Sequence, residues 1–85
     1  MDLTDLRREI DLVDEEMLTL FLKRMAICKQ IGEEKKRLNK PVYNQAREEE
    51  ILARVQEKSG ALCEYSTEFF QKIMALSKAY QEQTT

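Results

Sequence analysis

The chain has 85 residues, enough for one domain spanning 1–85. Its 42% apolar and 35% charged residues, with two Gly, one Pro and no Trp, exclude a disordered chain and point to a helical one. The net charge of −2, with basic residues dispersed among acids, argues against a nucleic-acid partner.

No apolar run approaches the roughly 20 residues needed to cross a bilayer, and Met1-Asp2 does not open a basic and apolar signal segment. No membrane partner is therefore expected, and a cytoplasmic location is. The absence of histidine excludes a His-based triad and all but excludes a zinc site. Cys28 and Cys63 lack CxxC spacing and read as free thiols in a reducing compartment. No cofactor motif is present.

Three helical segments follow in chain order, over about 3–38, 44–58 and 62–81. The first runs without a proline, and its one glycine, Gly32, lies inside a pattern that continues past it. Pro41 ends that segment, because the residue before a proline is driven out of the α region. The second carries Ile51, Leu52 and Val55 as far as Ser59-Gly60. Leu62, Tyr65, Phe69, Ile73, Leu76 and Tyr80 recur at helical spacing in the third, and the 81–85 tail is expected to fray.

A first helix of this length reaches roughly 54 Å at 1.5 Å per residue. A compact globule of this chain length has a radius of gyration near 12 Å. Two shorter helices cannot cover both ends of such a rod, so an intertwined all-α homodimer is expected. The stripe Leu3, Leu6, Ile10, Val13, Met17, Leu20, Ile27, Ile31 repeats 3-4-3-4, the spacing of a helix–helix seam.

Arg24 falls on that same stripe, where an unpaired guanidinium would cost several kcal/mol to bury. It is read either as a buried ion pair, to Glu16 or to an acid of a partner chain, or as the receptor of an external anion. Lys35, 11 residues on, points the same way, whereas Arg7 lies about 260° round the helix and would serve a partner's pocket more easily than its own. Asn44, Arg47 and Glu48 share a face of the second helix, and Ser77 and Gln81 a face of the third. Taken singly, Asn44 reads as an N-cap and the others as solvated helix polars. Taken together, three helices offering polar groups to a common interior is how bundles build small-molecule sites.

The ordered set Leu6-Arg7…Ile10…Asp14, Arg24…Ile31-Gly32…Lys35, Pro41-Val42…Arg47-Glu48 and Ser77…Gln81 resembles the all-helical chorismate mutases over nearly the full length. The resemblance implies a homodimer that rearranges the dianion chorismate to prephenate, on the route to Phe and Tyr, without cofactor or metal. Arg24 and Arg47 would bind substrate carboxylates, with Arg7 reaching across from the other protomer. Lys35 and Gln81 would donate to the ether oxygen, Glu48 would accept from the ring hydroxyl, and Ser77 would contact a carboxylate. Asn44 departs from the family pattern, which more often has aspartate there. Two other readings keep the fold: an isochorismate pyruvate-lyase using the same cations, and a non-catalytic helical dimerisation module.

Overall fold

The computed structural model describes residues 2–84, the side chain of Thr84 excepted. Helix α1 spans Leu3–Arg37, α2 Gln45–Ser59 and α3 Cys63–Thr84, with a single 3₁₀ turn, Gly60–Leu62, joining the last two. The all-α class expected from composition is the class observed, with no strand among the described residues. The molecule measures 54 × 25 × 14 Å.

Local chemistry sets the breaks. Asp2 caps α1, its Oδ1 accepting from Asp5 N at 2.9 Å. At the other end Asn39 adopts φ 57°, a left-handed conformation that asparagine tolerates better than most residues. Asn39 N donates to Lys36 O at 3.1 Å and Lys40 N to Lys35 O at 2.8 Å, the pair of bonds of a Schellman stop, and Pro41 follows at once. Gly60 ends α2 with φ 58° and ψ −132°, a backbone state that penalises any side chain. The fraying expected over 81–85 is not seen through Thr84, where α3 continues and Gln81 within it is buried; Thr85 lies outside the described residues.

Helix α3 is the middle element. It packs on α1 and on α2, which make no close backbone approach to each other. The face of α1 turned to α3 is not the leucine stripe. It is the neighbouring row of half-buried Phe21 and Met25, buried Cys28 and Gly32, and half-buried Lys35. Arg24 falls between the two rows, half-buried.

The stripe itself stays in solvent, with Leu3 60%, Ile10 62% and Leu20 63% exposed. Buried apolar side chains are few: Cys28, Ile73 and Met74. Total accessible surface is 7005 Å², against roughly 5,200 Å² for a compact monomer of this mass. A radius of gyration of 15.9 Å likewise exceeds that of a compact chain.

Candidate functional site

The C-terminal half of α1, the loop after it, the start of α2 and the end of α3 enclose a cavity of ≈ 270 Å³. Its apolar wall is made by Ile27, Ile31, Val42, Ile51 and Met74. Into it face Arg24 and Lys35 from α1, Arg47 and Glu48 from α2, Asn44 from the α2 cap, and Ser77 and Gln81 from α3. Arg7 is not among them. It lies in a separate shallow groove with Leu3, Leu6, Glu9, Ile10 and Val13, 17 residues or about 25 Å along the rod from Arg24.

Arg24 has a built seat. Its Nη1 donates to Ser77 Oγ at 2.6 Å and approaches Cys28 Sγ at 3.8 Å. Ser77 is buried, and its own proton goes to Ile73 O at 2.8 Å, which leaves an oxygen lone pair for the guanidinium. Met25 Sδ lies 3.7 Å from the same hydroxyl. Glu16 makes no ion pair with Arg24, nor does any other described carboxylate. Within the chain the positive charge is therefore solvated by a hydroxyl and a thiol, both neutral hydrogen-bonding groups.

Lys35 is fixed from both ends. Its carbonyl anchors the Schellman stop, and its Nζ donates to Val42 O at 2.6 Å across the loop. An ammonium carries three N–H bonds, so two remain for a ligand. Asn44 keeps its capping role, Oδ1 accepting from Arg47 N at 3.0 Å, while also lining the cavity. The cap and the site are thus the same residue. The Arg47 guanidinium turns to an ion pair with Glu50, which Arg54 shares at 3.3 Å, all three side chains being more than half exposed. Glu48 is half-buried beside the cavity.

Three features were not legible as site components. Lys78 lines the cavity beside Ser77, and its Nζ sits 4.8 Å from the centre of the Tyr43 ring, a cation–π contact that ties α3 to the loop. Cys28 forms part of the wall behind Arg24. Gly32 is buried where α1 meets Gln81. Nothing in the spacing distinguished Lys78 from ordinary surface lysines. Gly32 gave one signal, a glycine kept inside a helix that would be stronger without it.

A family model described as chorismate mutase type II matches residues 6–82. The chain belongs to that family. The bifunctional chorismate mutase/prephenate dehydratase of Aquifex aeolicus is 43% identical over 54 residues, 64% of this chain. The T-protein of Haemophilus influenzae is 34% identical over 84 residues, 95% of this chain, and that of Enterobacter agglomerans 39% over 61 residues, or 72%. The chain spans only 15%, 16% and 22% of the Aquifex, Enterobacter and Haemophilus proteins. Among solved structures, a conserved hypothetical protein from Pyrococcus furiosus superimposes with a TM-score of 0.81 at 40% identity, covering 93% of both chains. The chorismate mutase match includes every helix that contributes to the cavity.

Proposed function

We propose that this chain is an isomerase that converts chorismate to prephenate within the cavity between α1, α2 and α3. The observation that carries the reading is the convergence of Arg24, Lys35, Arg47 and Gln81 on one hollow with an apolar wall, in a chain of the chorismate mutase family. The reaction is a Claisen rearrangement within one molecule: a carbon–oxygen bond breaks as a carbon–carbon bond forms, and no proton or hydride is transferred. What such a reaction asks of a protein is geometry and charge. The flexible dianion must be held in its compact chair-like conformer, and negative charge growing on the ether oxygen must be met by donors already in place.

Arg24, held by Ser77, and Arg47, once it exchanges Glu50 for the ligand, bind the two carboxylates. The two unused N–H bonds of Lys35 and the Gln81 carboxamide meet the ether oxygen. Glu48 accepts from the ring hydroxyl, with Asn44 beside it. A charge-assisted bond of this kind is worth roughly 1.5–3 kcal/mol net, and losing one transition-state donor costs about 10²–10³ in rate.

The site is completed by a second copy. The exposed leucine stripe and an accessible surface of 7005 Å² fit a chain whose rod is buried by its twin, and obligate interfaces bury upwards of about 2,000 Å². Arg7 then supplies its charge to the partner's cavity. A volume of ≈ 270 Å³, just under the usual range of about 300–1,000 Å³ for small-molecule pockets, suits a hollow that another chain extends.

Incubating the purified chain with chorismate and with isochorismate, and identifying the products, tests the reading. Prephenate from chorismate supports it. Salicylate and pyruvate from isochorismate would favour the lyase, and no turnover of either would leave a dimerisation module.

A further inference from the structure

We propose that Gly32 is a positioning residue for Gln81: the missing side chain on α1 sets where the Gln81 carboxamide sits in the cavity. The inference rests on the mutase reading of the site. Gly32 is buried inside the last two turns of α1, ahead of its end at Arg37, and inside a helix glycine is the poorest choice after proline. No turn or unusual backbone explains it, since α1 runs through unbroken and Gly32 is not among the positive-φ residues.

The reason lies across the interface. A β-carbon on Gly32 would stand 3.3 Å from Gln81 Cγ, 3.4 Å from Gln81 Cβ and 3.7 Å from Gln81 Cα. Carbon atoms prefer about 3.5–4.0 Å, so the contact with Cγ is tight, the one with Cβ is at the edge of ordinary contact and the third is ordinary. All three nearest atoms belong to one residue. The crowding therefore falls on the Gln81 side chain, the group placed to donate to the ether oxygen, and only secondarily on the path of α3. Gly60 offers the contrast: a β-carbon there would meet nothing within 4 Å, and its glycine is explained by φ 58° instead.

The added methyl group displaces Gln81 by a few tenths of an ångström or turns it out of its rotamer. A misplacement of 1 Å at a reacting centre can cost about 10²-fold, so a shift of this size costs on the order of tenfold in kcat. The carboxylate seats on Arg24 and Arg47 are untouched, so KM stays within about twofold.

The test is a double-mutant cycle on the full chain, with Gly32→Ala, Gln81→Ala and the two combined, reading kcat, KM and thermal melting. The expected result is a drop in kcat of about tenfold for Gly32→Ala in the parent and less than about twofold in the Gln81→Ala background, because the Cγ atom in tight contact and the carboxamide it carries are gone. An equal drop in both backgrounds, or parental kcat in Gly32→Ala, would overturn the inference while leaving the mutase reading intact. If Gly32→Ala does not fold, recovery of cooperative melting on adding Gln81→Ala supports the same contact, and failure in both backgrounds overturns it. A parent chain without turnover would overturn the functional reading, and this inference with it.

Discussion

Arg24 Nη1 donates to Ser77 Oγ at 2.6 Å, a bond between residues 53 positions apart that ties the seam of α1 to the end of α3. The serine proton is committed to Ile73 O, so the hydroxyl acts as an acceptor aimed at the guanidinium. Ser77→Ala removes that acceptor and lets Arg24 leave its seat. A hydrogen bond to a charged group is worth roughly 1.5–3 kcal/mol, so kcat/KM for chorismate should fall about tenfold or more. Steady-state kinetics check this, with Arg24→Lys as the companion, which should lose more because an ammonium cannot grip a carboxylate in two places.

Arg47 is held away from a ligand by a surface ion pair with Glu50. Exposed pairs of this kind contribute about 0–1 kcal/mol, so breaking it frees Arg47 at little cost to the fold. Glu50→Gln is expected to lower KM by up to about fivefold with kcat unchanged. Raised salt should shrink the difference between parent and variant, because screening weakens the same pair.

In the proposed dimer a second copy covers the exposed leucine stripe of α1. Light scattering should give twice the 10.0 kDa chain mass, with a melting temperature that rises with protein concentration. Arg7→Ala and Lys35→Ala should each be nearly inactive alone. Unfolded together and refolded as a mixture, they should regain about a quarter of parental activity, because mixed dimers hold one intact site. No recovery would place Arg7 and Lys35 in the same chain's site, or Arg7 outside any site.

Gln81 does not titrate, so its hydrogen bond places no demand for acid on the reaction. Turnover should be flat from pH 5 to 8, measured as kcat against pH. Glu34 is a control from outside the cavity. Its carboxyl titrates below the ordinary value of 4.5 because Arg37 donates to it. A carboxyl lowered in the folded state contributes stability above its unfolded value and loses it as pH falls through the folded one, so any effect is confined to acid below pH 4.5. Glu34→Gln should leave the profile of kcat unchanged.

Much of this was written in the sequence. A rod with a 3-4-3-4 stripe and a proline stop are local signals, and they place α1, its end and its bare apolar face. The faces of the site residues followed from 100° per residue alone, which is why Arg24 with Lys35, and Ser77 with Gln81, meet in one hollow. What periodicity could not show is which row of α1 touches α3. Phe21, Met25, Cys28 and Gly32 are less apolar as a set than the leucines beside them, and α3 takes them because the leucines are left for another surface. Nor could it separate a cap from a ligand at Asn44, since one side chain lines the cavity and caps α2. Lys78 over Tyr43 and the Gly32–Gln81 contact depend on how closely helices approach, a quantity with no periodic signature.

The most direct test is the rate of chorismate consumption by the parent chain and by Lys35→Ala, each checked for helicity and melting temperature. Lys35 lines the cavity with its Nζ pinned at Val42 O and two N–H bonds left over, so its loss should lower kcat about 10²–10³-fold while the fold survives. Turnover by Lys35→Ala within about threefold of the parent would contradict the account, because a transition-state donor cannot be removed so cheaply.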